Sequence, residues 1–381
     1  MNLELSDEQE LLREAARNAL SRVKTIEAAR EALEDEQASL PDLWPTAVEA
    51  GWTGLLVSEE RGGAGLGAYD AILVAQEAGR VLAGVPLLGA LPGAMLLDRG
   101  GSALTEAAAA GELRVAWLPA CPPGGHEGAW TVDPVSGMTR APVPSASVDG
   151  DAVTLDGTVA WAPDAGEAEL LVAVGQTADG EIVAATVEAG ADGVSVERTW
   201  RYDATRRLGT VTFAGAKGTR LAVSGEDLEQ AWFLVQCLIA AESVGTVEAA
   251  LAASVEYAKE RFTFGRAIGS YQAVKHGLVE VLRRLENAKS LLIYAGFAFA
   301  DKPAEIAYAS SCARSVAGGA LDFTARQLIA THGGIGATWE HDAPLTFRRA
   351  QLSRRLVGGT AASTDRVAAE LLAGRGPGIA A

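Results

Sequence analysis

The sequence predicts an α+β fold built from a helical N-terminal domain, a middle β-domain and a C-terminal four-helix bundle. Apolar residues recur at helical spacing near the N-terminus, β-branched residues alternate with polar ones in the middle, and long Ala- and Leu-rich stretches fill the last part. These changes of pattern place the domains at residues 1–112, 113–222 and 223–381.

The N-terminal domain opens with a capping box, in which Ser6 can bond the amide of Gln9 and the Gln9 side chain can reach back. Further helices are expected at 40–51 and 69–82, the second entered through the glycine-rich turn 61–67. We do not expect this turn to bind phosphate, because it follows no predicted strand and lacks the Lys-Ser/Thr ending of a phosphate-binding loop. It is expected to shape a loop between helices.

Strands and then long helices follow in the other two domains. Because the helices are apolar on more than one face, we expect each to pack against several neighbours, with the outer faces of the bundle forming a subunit interface. The predicted strands are 153–159, 170–174, 182–187 and 209–213, and the predicted helices are 226–259, 270–300, 303–331 and 340–373.

The composition argues against several classes of function. The 381 residues include 49 acidic and 32 basic ones, and the net charge of −17 argues against binding to nucleic acid or to an anionic membrane. Three cysteines (Cys121, Cys237 and Cys312) and four histidines are too dispersed for a metal centre or redox pair. With no N-terminal signal sequence, and apolar runs such as 291–300 too short to span a bilayer, a cytoplasmic protein is expected.

Two long segments carry a family resemblance. The first is Tyr-Ala-Lys-Glu-Arg-Phe-Thr-Phe-Gly-Arg-Ala-Ile-Gly-Ser-Tyr-Gln-Ala-Val-Lys-His at 257–276, and the second is His-Gly-Gly-Ile-Gly-Ala-Thr-Trp-Glu-His at 332–341, followed by Arg-Arg-Ala at 348–350. They resemble the flavin-dependent acyl-CoA dehydrogenase family, in which a helical, a β and a second helical part also follow one another. The resemblance covers nearly the whole chain, strongly after residue 230 and loosely before it.

In that family each FAD lies between two subunits, one surrounding the flavin ring and its neighbour holding the pyrophosphate and adenosine. The resemblance implies that this chain reaches a neighbour's FAD, since a guanidinium suits pyrophosphate oxygens and glycines let backbone amides approach an anion. The alternative for Arg261 is an ion pair on a solvated helix, and the family's Gln of the second segment is Ala330 here. The implied cofactor contacts are Arg261, Thr263, Phe264, Gln272, Gly333 and Gly334.

The catalytic carboxylate of the family is missing. Its usual Tyr-Glu-Gly-Thr reads Val-Gly-Gly-Thr at 357–360, which puts Gly358 at the position of the base that removes the substrate α-proton. The position used by other members, on an earlier helix, is Val235 with Gln236 beside it. Glu242, two helical turns and about 10 Å further on, is either a relocated base or a structural carboxylate.

Other family features are also absent. The Thr or Ser that hydrogen-bonds the flavin ring becomes Pro163, after Trp161, and proline has no N–H to donate. Residues 118–123 replace the ring-lining Thr-Glu-x-x-x-Gly-Ser-Asp stretch, and Ala362 replaces an adenine-contacting Glu or Gln. A basic stripe near the end of the bundle either contacts phosphates or forms salt bridges; it comprises Arg348, Arg349, Arg354 and Arg355.

We therefore expect a subunit of a FAD-dependent acyl-CoA dehydrogenase that completes the FAD site of a homologous catalytic subunit and lacks the base itself. Such α2β2 assemblies resemble those of actinobacterial steroid side-chain degradation, so the expected substrate is an acyl-CoA, with a steroid side-chain CoA thioester as one candidate. Two alternatives stay open: a self-sufficient homotetrameric flavoenzyme with a relocated base or different chemistry, and a non-enzymatic scaffold that binds acyl-CoA or a partner.

Overall fold

The computed structural model describes residues 4–34, 40–120, 122, 131–132, 140–141, 143–199 and 203–377. It confirms the predicted fold class, with N-terminal helices, a β-domain and a C-terminal bundle; the domain boundaries at 112 and 222 fall between elements and stay predictions. The elements are α1 (Asp7–Leu20), α2 (Thr25–Glu34), α3 (Trp44–Glu49), α4 (Ala68–Arg80), α5 (Leu87–Arg99), α6 (Thr105–Ala109), β1 (Val115–Trp117), β2 (Thr131–Val132), β3 (Arg140–Ala141), β4 (Ser145–Asp149), β5 (Ala152–Pro163), β6 (Leu170–Gln176), β7 (Ile182–Glu188), β8 (Val194–Arg198), β9 (Leu208–Leu221), α7 (Gly225–Glu260), β10 (Phe262–Thr263), β11 (Arg266–Ala267), α8 (Gln272–Asp301), α9 (Ile306–His332), α10 (Ala343–Ser353) and α11 (Gly359–Leu372).

The N-terminal capping box is present as predicted. Gln9 N donates to Ser6 Oγ and Ser6 N donates to Gln9 Oε1, both at 3.2 Å. The glycine-rich turn forms a loop that ends at Gly67, the N-cap of α4. The expected helix at 40–51 is shorter, because α3 begins only at Trp44 and the chain leaves it through Gly51 at φ 71°.

Helix α5 is not predicted by the sequence pattern, since it contains two glycines and Pro92. The glycines let the helix lie directly on the β-domain. A Cβ on Gly89 would be 2.8 Å from Pro163 O, and a Cβ on Gly93 would be 2.9 Å from a Val115 methyl group. Residues that weaken an isolated helix therefore permit close packing here.

The β-domain is a closed sheet. Its strands run in the order β1-β6-β4-β5-β9-β7, β8 pairs with β9, and β6 also pairs with β7, so that the strands from β6 round to β7 form a small barrel. Alternate residues of β5, β6 and β9, such as Val153, Leu171 and Phe213, fill its interior. A bulge between Val159 and Ala162 re-aims the end of β5 near α5.

Helices α4 and α7 cross with their backbones in contact. A Cβ on Gly79 would lie 2.0 Å from Glu242 O, and a Cβ on Gly245 would lie 1.9 Å from Gln76 O. No side chain fits at either position, so the two glycines set the distance between the N-terminal helices and the bundle.

Two predictions about the C-terminal helices need correction. The single helix expected at 340–373 is two helices, α10 and α11, because residues 357–359 all have positive φ and break the helix. Among the described residues, α7 alone is long and apolar enough to cross a membrane, contrary to the expectation that every apolar run is too short. Of its most apolar stretch, 83% is buried inside the molecule, as in the core helix of a bundle.

Candidate cofactor and substrate site

The predicted base position, Gly358, lies in a turn with a strained backbone. Residues 357–359 have positive φ, including 44° at Val357, a conformation unfavourable for a β-branched side chain. Two buried side chains hold the turn. Gln236 Nε2 of α7 donates to the Val357 carbonyl, and Arg314 of α9 donates to the backbone carbonyls at and after the end of α10.

The usual base position, Gly358, lines a small cavity together with Gln236, the neighbour of the alternate position Val235. A Cβ built on Gly358 would lie 3.3 Å from the Trp232 ring and 3.7 Å from Gln236 Nε2, and Val235 itself is fully buried. The cavity measures about 20 Å³, enough for about one water molecule and far too little for an acyl group. None of the described residues that line it is a carboxylate. Among the described residues, this cavity therefore offers no base, and it has no room for an acyl group.

Glu242 lies in a different environment. It is 2% exposed, and its carboxylate forms an ion pair with Arg206 and lies 3.8 Å from Arg349 Nη1. A carboxylate engaged by two buried guanidiniums has little capacity left to take a substrate proton. The geometry therefore favours the structural alternative over the relocated base.

Of the two alternatives for the four arginines, the structure supports salt bridging for Arg349. This residue is 1% exposed, its Nε donates to Asp203 Oδ2 at 2.9 Å, and its Nη2 donates to Leu82 O at 3.1 Å. Burial, followed by the charge of Arg206, lowers the pKa of Arg349. One guanidinium thus ties α10 to the loop before β9 and to the N-terminal helices. Salt bridging also describes Arg354, whose Nη1 lies 3.6 Å from an Asp322 oxygen.

The residues at the predicted flavin-ring position are buried and packed together. Trp117 and Trp232 meet edge to face with ring centroids 6.4 Å apart, and Trp161 belongs to the same buried cluster. Pro163 is the last residue of β5 and pairs with Leu208. Residues 118–120 and 122 of the replaced stretch are buried, and Cys121 and Pro123 lie outside the described residues. This arrangement does not fit a flavin ring in the manner of the family, because position 163 has no donor.

Asp164 fastens this end of β5 to α5, a role that no sequence signal indicated. Its Oδ2 accepts a hydrogen bond from Gly89 N at 2.7 Å. Burial raises the pKa of Asp164 to about 7, although the Gly89 amide and the charge of Arg206 oppose the rise. The carboxyl group therefore changes charge near neutral pH.

The first predicted cofactor-binding set forms a projecting hairpin. Arg261 ends α7, and the two short strands β10 and β11 then reverse the chain around Phe264, which has φ 53° and is 92% exposed. Tyr271 braces the base, because its hydroxyl donates to Thr263 O at 2.9 Å. Gln272 follows at the start of α8 and is exposed. The structure thus gathers all four predicted residues on one protrusion.

Within the part of the chain that the structure describes, the Arg261 side chain makes no ion pair, so the solvated-helix alternative has no acidic partner here. The second set, Gly333 and Gly334, follows the end of α9. The Tyr257 ring, one turn before Arg261, stacks on His332 at 4.2 Å between centroids. This contact brings both predicted sets to the same end of the bundle.

Family models and known proteins match this chain over most of its length. The family models for the acyl-CoA dehydrogenase N-terminal domain and C-terminal domain match residues 6–120 and 236–372. The chain is 30% identical to acyl-CoA dehydrogenase IpdE2 of Mycolicibacterium smegmatis, over 96% of this chain and 100% of that protein.

Two solved structures with the same fold match nearly the whole chain. The ChsE4–ChsE5 complex from Mycobacterium tuberculosis has a chain that matches with a TM-score of 0.85 at 23% identity, covering 98% of this chain and 99% of that one. A variant of the Tcur3481–Tcur3483 steroid ACAD matches with a TM-score of 0.84 at 26% identity, covering 97% and 98%.

Proposed function

The chain belongs to the acyl-CoA dehydrogenase family, and on that premise we propose that it is the base-lacking subunit of a hetero-oligomeric FAD-dependent acyl-CoA dehydrogenase. The contrast between the small cavity at Gly358 and the exposed hairpin at 261–271 carries the proposal. The described residues that line the cavity include no carboxylate and leave no room for an acyl group, whereas the hairpin presents a guanidinium and an aromatic ring to solvent.

The proposed partner is a homologous, catalytically complete subunit in an α2β2 assembly. One structural neighbour is itself a complex of two differently named chains. The C-terminal bundle, with its hairpin and the loop after α9, also exposes large apolar side chains, which mark interaction surfaces when they cluster. They are Phe262, Phe264, Val279, Leu282, Ile335 and Trp339.

In this assembly FAD supplies the acceptor for the β-hydride in α,β-dehydrogenation of the acyl-CoA. The α-proton must go to a carboxylate of the partner, because Gly358 and Gln236 cannot accept it. The residues of this chain bind and orient the cofactor. Arg261 meets pyrophosphate oxygens, and the turn at 333–334 offers the Gly334 amide, because the Gly333 amide donates to Ile329 O at 2.9 Å.

We propose a bulky acyl-CoA as the substrate, with a steroid side-chain thioester as the leading candidate. The support is the steroid ACAD among the structural neighbours. Because this subunit would have no acyl pocket, each heterodimer would have a single acyl site, in the partner subunit. Only that pocket then has to be large enough for a bulky acyl group.

Expression of the chain alone and together with a homologous dehydrogenase encoded beside it tests the proposal. We expect the isolated chain to purify with little flavin absorbance and without acyl-CoA oxidation. The co-expressed pair should form a heterotetramer by native mass, with about one flavin per heterodimer. A stoichiometric flavin spectrum with turnover from the isolated chain would overturn the proposal and revive the homotetramer.

The structure supports the self-sufficient homotetramer less well. Gln236, beside the alternate base position, donates to the Val357 carbonyl and accepts from Ser363 Oγ at 3.5 Å, so its side chain holds a turn in place. A non-enzymatic scaffold is equally compatible with the small cavity at Gly358. The flavin content of the co-purified complex distinguishes the scaffold from the base-lacking subunit, because a scaffold would add no cofactor contact.

A further inference from the structure

Two of the four histidines, dispersed in the sequence, stack against each other at the end of α9. The ring centroids of His332 and His341 are 4.1 Å apart with the planes at 44°, and Tyr257 covers the other side of His332. Among the described residues, no group of three or more His, Cys, Asp or Glu side chains is arranged to hold a metal ion. The pair closes a loop, residues 333–342, that joins α9 to α10.

The hydrogen bonds fix which ring nitrogen of each imidazole carries a proton. His332 Nδ1 faces Leu328 O at 2.9 Å, so this nitrogen donates. His341 Nδ1 receives the backbone N–H of Ala343 at 3.0 Å, so this nitrogen must be a bare acceptor. His341 therefore lies in the loop as a neutral imidazole.

The bond to Ala343 has a structural role because α10 lacks an ordinary cap. Its N-cap residue, Asp342, makes no side-chain hydrogen bond to the helix. The imidazole of His341 instead satisfies the first amide of α10, one of the donors that a helix start leaves without a partner. Asp342 forms an ion pair with Arg30 of α2, which holds the loop from its other side.

Protonation of His341 would act against this arrangement in two ways. Nδ1 would become a donor facing the donor of Ala343. A cation would stand at the positive end of α10. The charged groups around His341 are Asp342, which favours its protonation, and Arg30, which opposes it.

We propose that residues 333–342 form a pH-responsive loop, attached to the bundle while His341 is neutral and released when His341 is protonated. Burial, and then the charge of His332, lower the pKa of His341, so the attachment is complete above the ordinary histidine value of about 6.5 and is lost as the pH falls below it. The loop begins at the predicted cofactor contacts Gly333 and Gly334, which release would displace.

Hydrogen–deuterium exchange of the full chain, corrected for the intrinsic pH dependence of exchange, measures the release. Between pH 7.5 and 5.5 we expect protection of 333–342 to fall, because protonation of His341 removes the acceptor of the Ala343 amide. Protection in the core of α7, at 233–247, should not change. A loop whose protection is the same at both pH values would overturn the proposal.

His341→Asn is the decisive variant, because its Oδ1 can still accept the Ala343 amide but cannot be protonated at these pH values. We expect the pH step at 333–342 to disappear in it and to persist in the control His276→Asn, an exposed histidine of α8. A step of equal size in His341→Asn would overturn the proposal.

Histidine NMR signals provide a measurement that needs no stable variant at position 341. In the wild-type chain the imidazole that titrates below its ordinary value should do so at the midpoint of the exchange step. An exchange step with a midpoint unrelated to any histidine titration would also overturn the proposal. Because both measurements use this chain alone, their outcome is independent of the proposed partner role.

Discussion

Two regions of the C-terminal bundle, the turn around Gly358 and the hairpin after Arg261, differ in how they meet solvent. The turn is enclosed by Trp232, Gln236 and Arg314, and its polar groups are bonded within the chain. The hairpin ends in Phe264, which is almost fully exposed. The turn is thus the closed side of this comparison, and the hairpin, with an apolar ring in water, is its open side.

The largest expected effect tests whether Glu242 is a structural carboxylate, on the closed side of this comparison, or a relocated base. Glu242→Gln leaves Arg206 buried without its counter-charge, so we expect it to lower the free energy of unfolding by about 3–5 kcal/mol, measured by urea denaturation. The control Glu256→Gln, on the exposed surface of α7, should change it by less than about 0.5 kcal/mol. A stable Glu242→Gln chain whose complex is inactive would instead favour the relocated base.

The next effect concerns Asp164, which fastens the flavin-ring side of the closed region. Its folded pKa of about 7 lies above the unfolded value, so the folded state holds the proton more tightly and stability falls as the pH rises from about 4 to 7. Asp164→Asn removes this term. We expect the variant to gain on wild type by up to about 1.4 kcal/mol per pH unit across that window, and by no more above it. Parallel stability curves for the two proteins across pH 4–8 would contradict the assignment.

Arg261→Ala tests the open side. If the hairpin reaches a partner's cofactor, the complex should lose about ten- to a hundredfold in FAD affinity, corresponding to roughly 1.5–3 kcal/mol for a charge-assisted bond, and should still assemble. Arg261→Lys should recover only part of the loss, because an ammonium cannot form a two-pronged contact. Arg283→Ala on α8 is the matched surface control. Unchanged FAD retention in Arg261→Ala would end the shared-cofactor model.

The smallest expected effect distinguishes two glycines. Gly358→Ala places a side chain at φ 79° and should cost about 1 kcal/mol, whereas Gly319→Ala, in an open helical position of α9, should stabilise by about 0.5–1 kcal/mol. Gly358→Glu should restore no second active site, since position 163 still lacks a donor. Doubled turnover per heterodimer in Gly358→Glu would show that the closed region needs only a base.

The structural features that are determined by residues close together in the sequence could be predicted from it. The Ser6–Gln9 capping box, the four strands β5, β6, β7 and β9, and the long helices α7, α8 and α9 are examples, because their signals are local. The hairpin and the turn at 333–334 were placed by motif resemblance, and the structure brings them together through Tyr257 and His332.

Contacts across long sequence separations could not be predicted. The sequence leaves phosphate contact and salt bridging open for Arg349, because its partner Asp203 is 146 positions away. Helix α5 was missed because its glycines are explained only by a β-domain that lies against them. The bracing of Val357 by Gln236, 121 positions apart, has no local signal either.

The backbone contact between α4 and α7 limits where the molecule can move. With Gly79 against the Glu242 carbonyl and Gly245 against the Gln76 carbonyl, no layer of side chains separates the helices. Sliding one helix along the other by a residue would push a larger side chain into a carbonyl oxygen. The N-terminal helices and the bundle must therefore move as one rigid body, and any adjustment on meeting a partner falls to the protruding hairpin and the loop after α9.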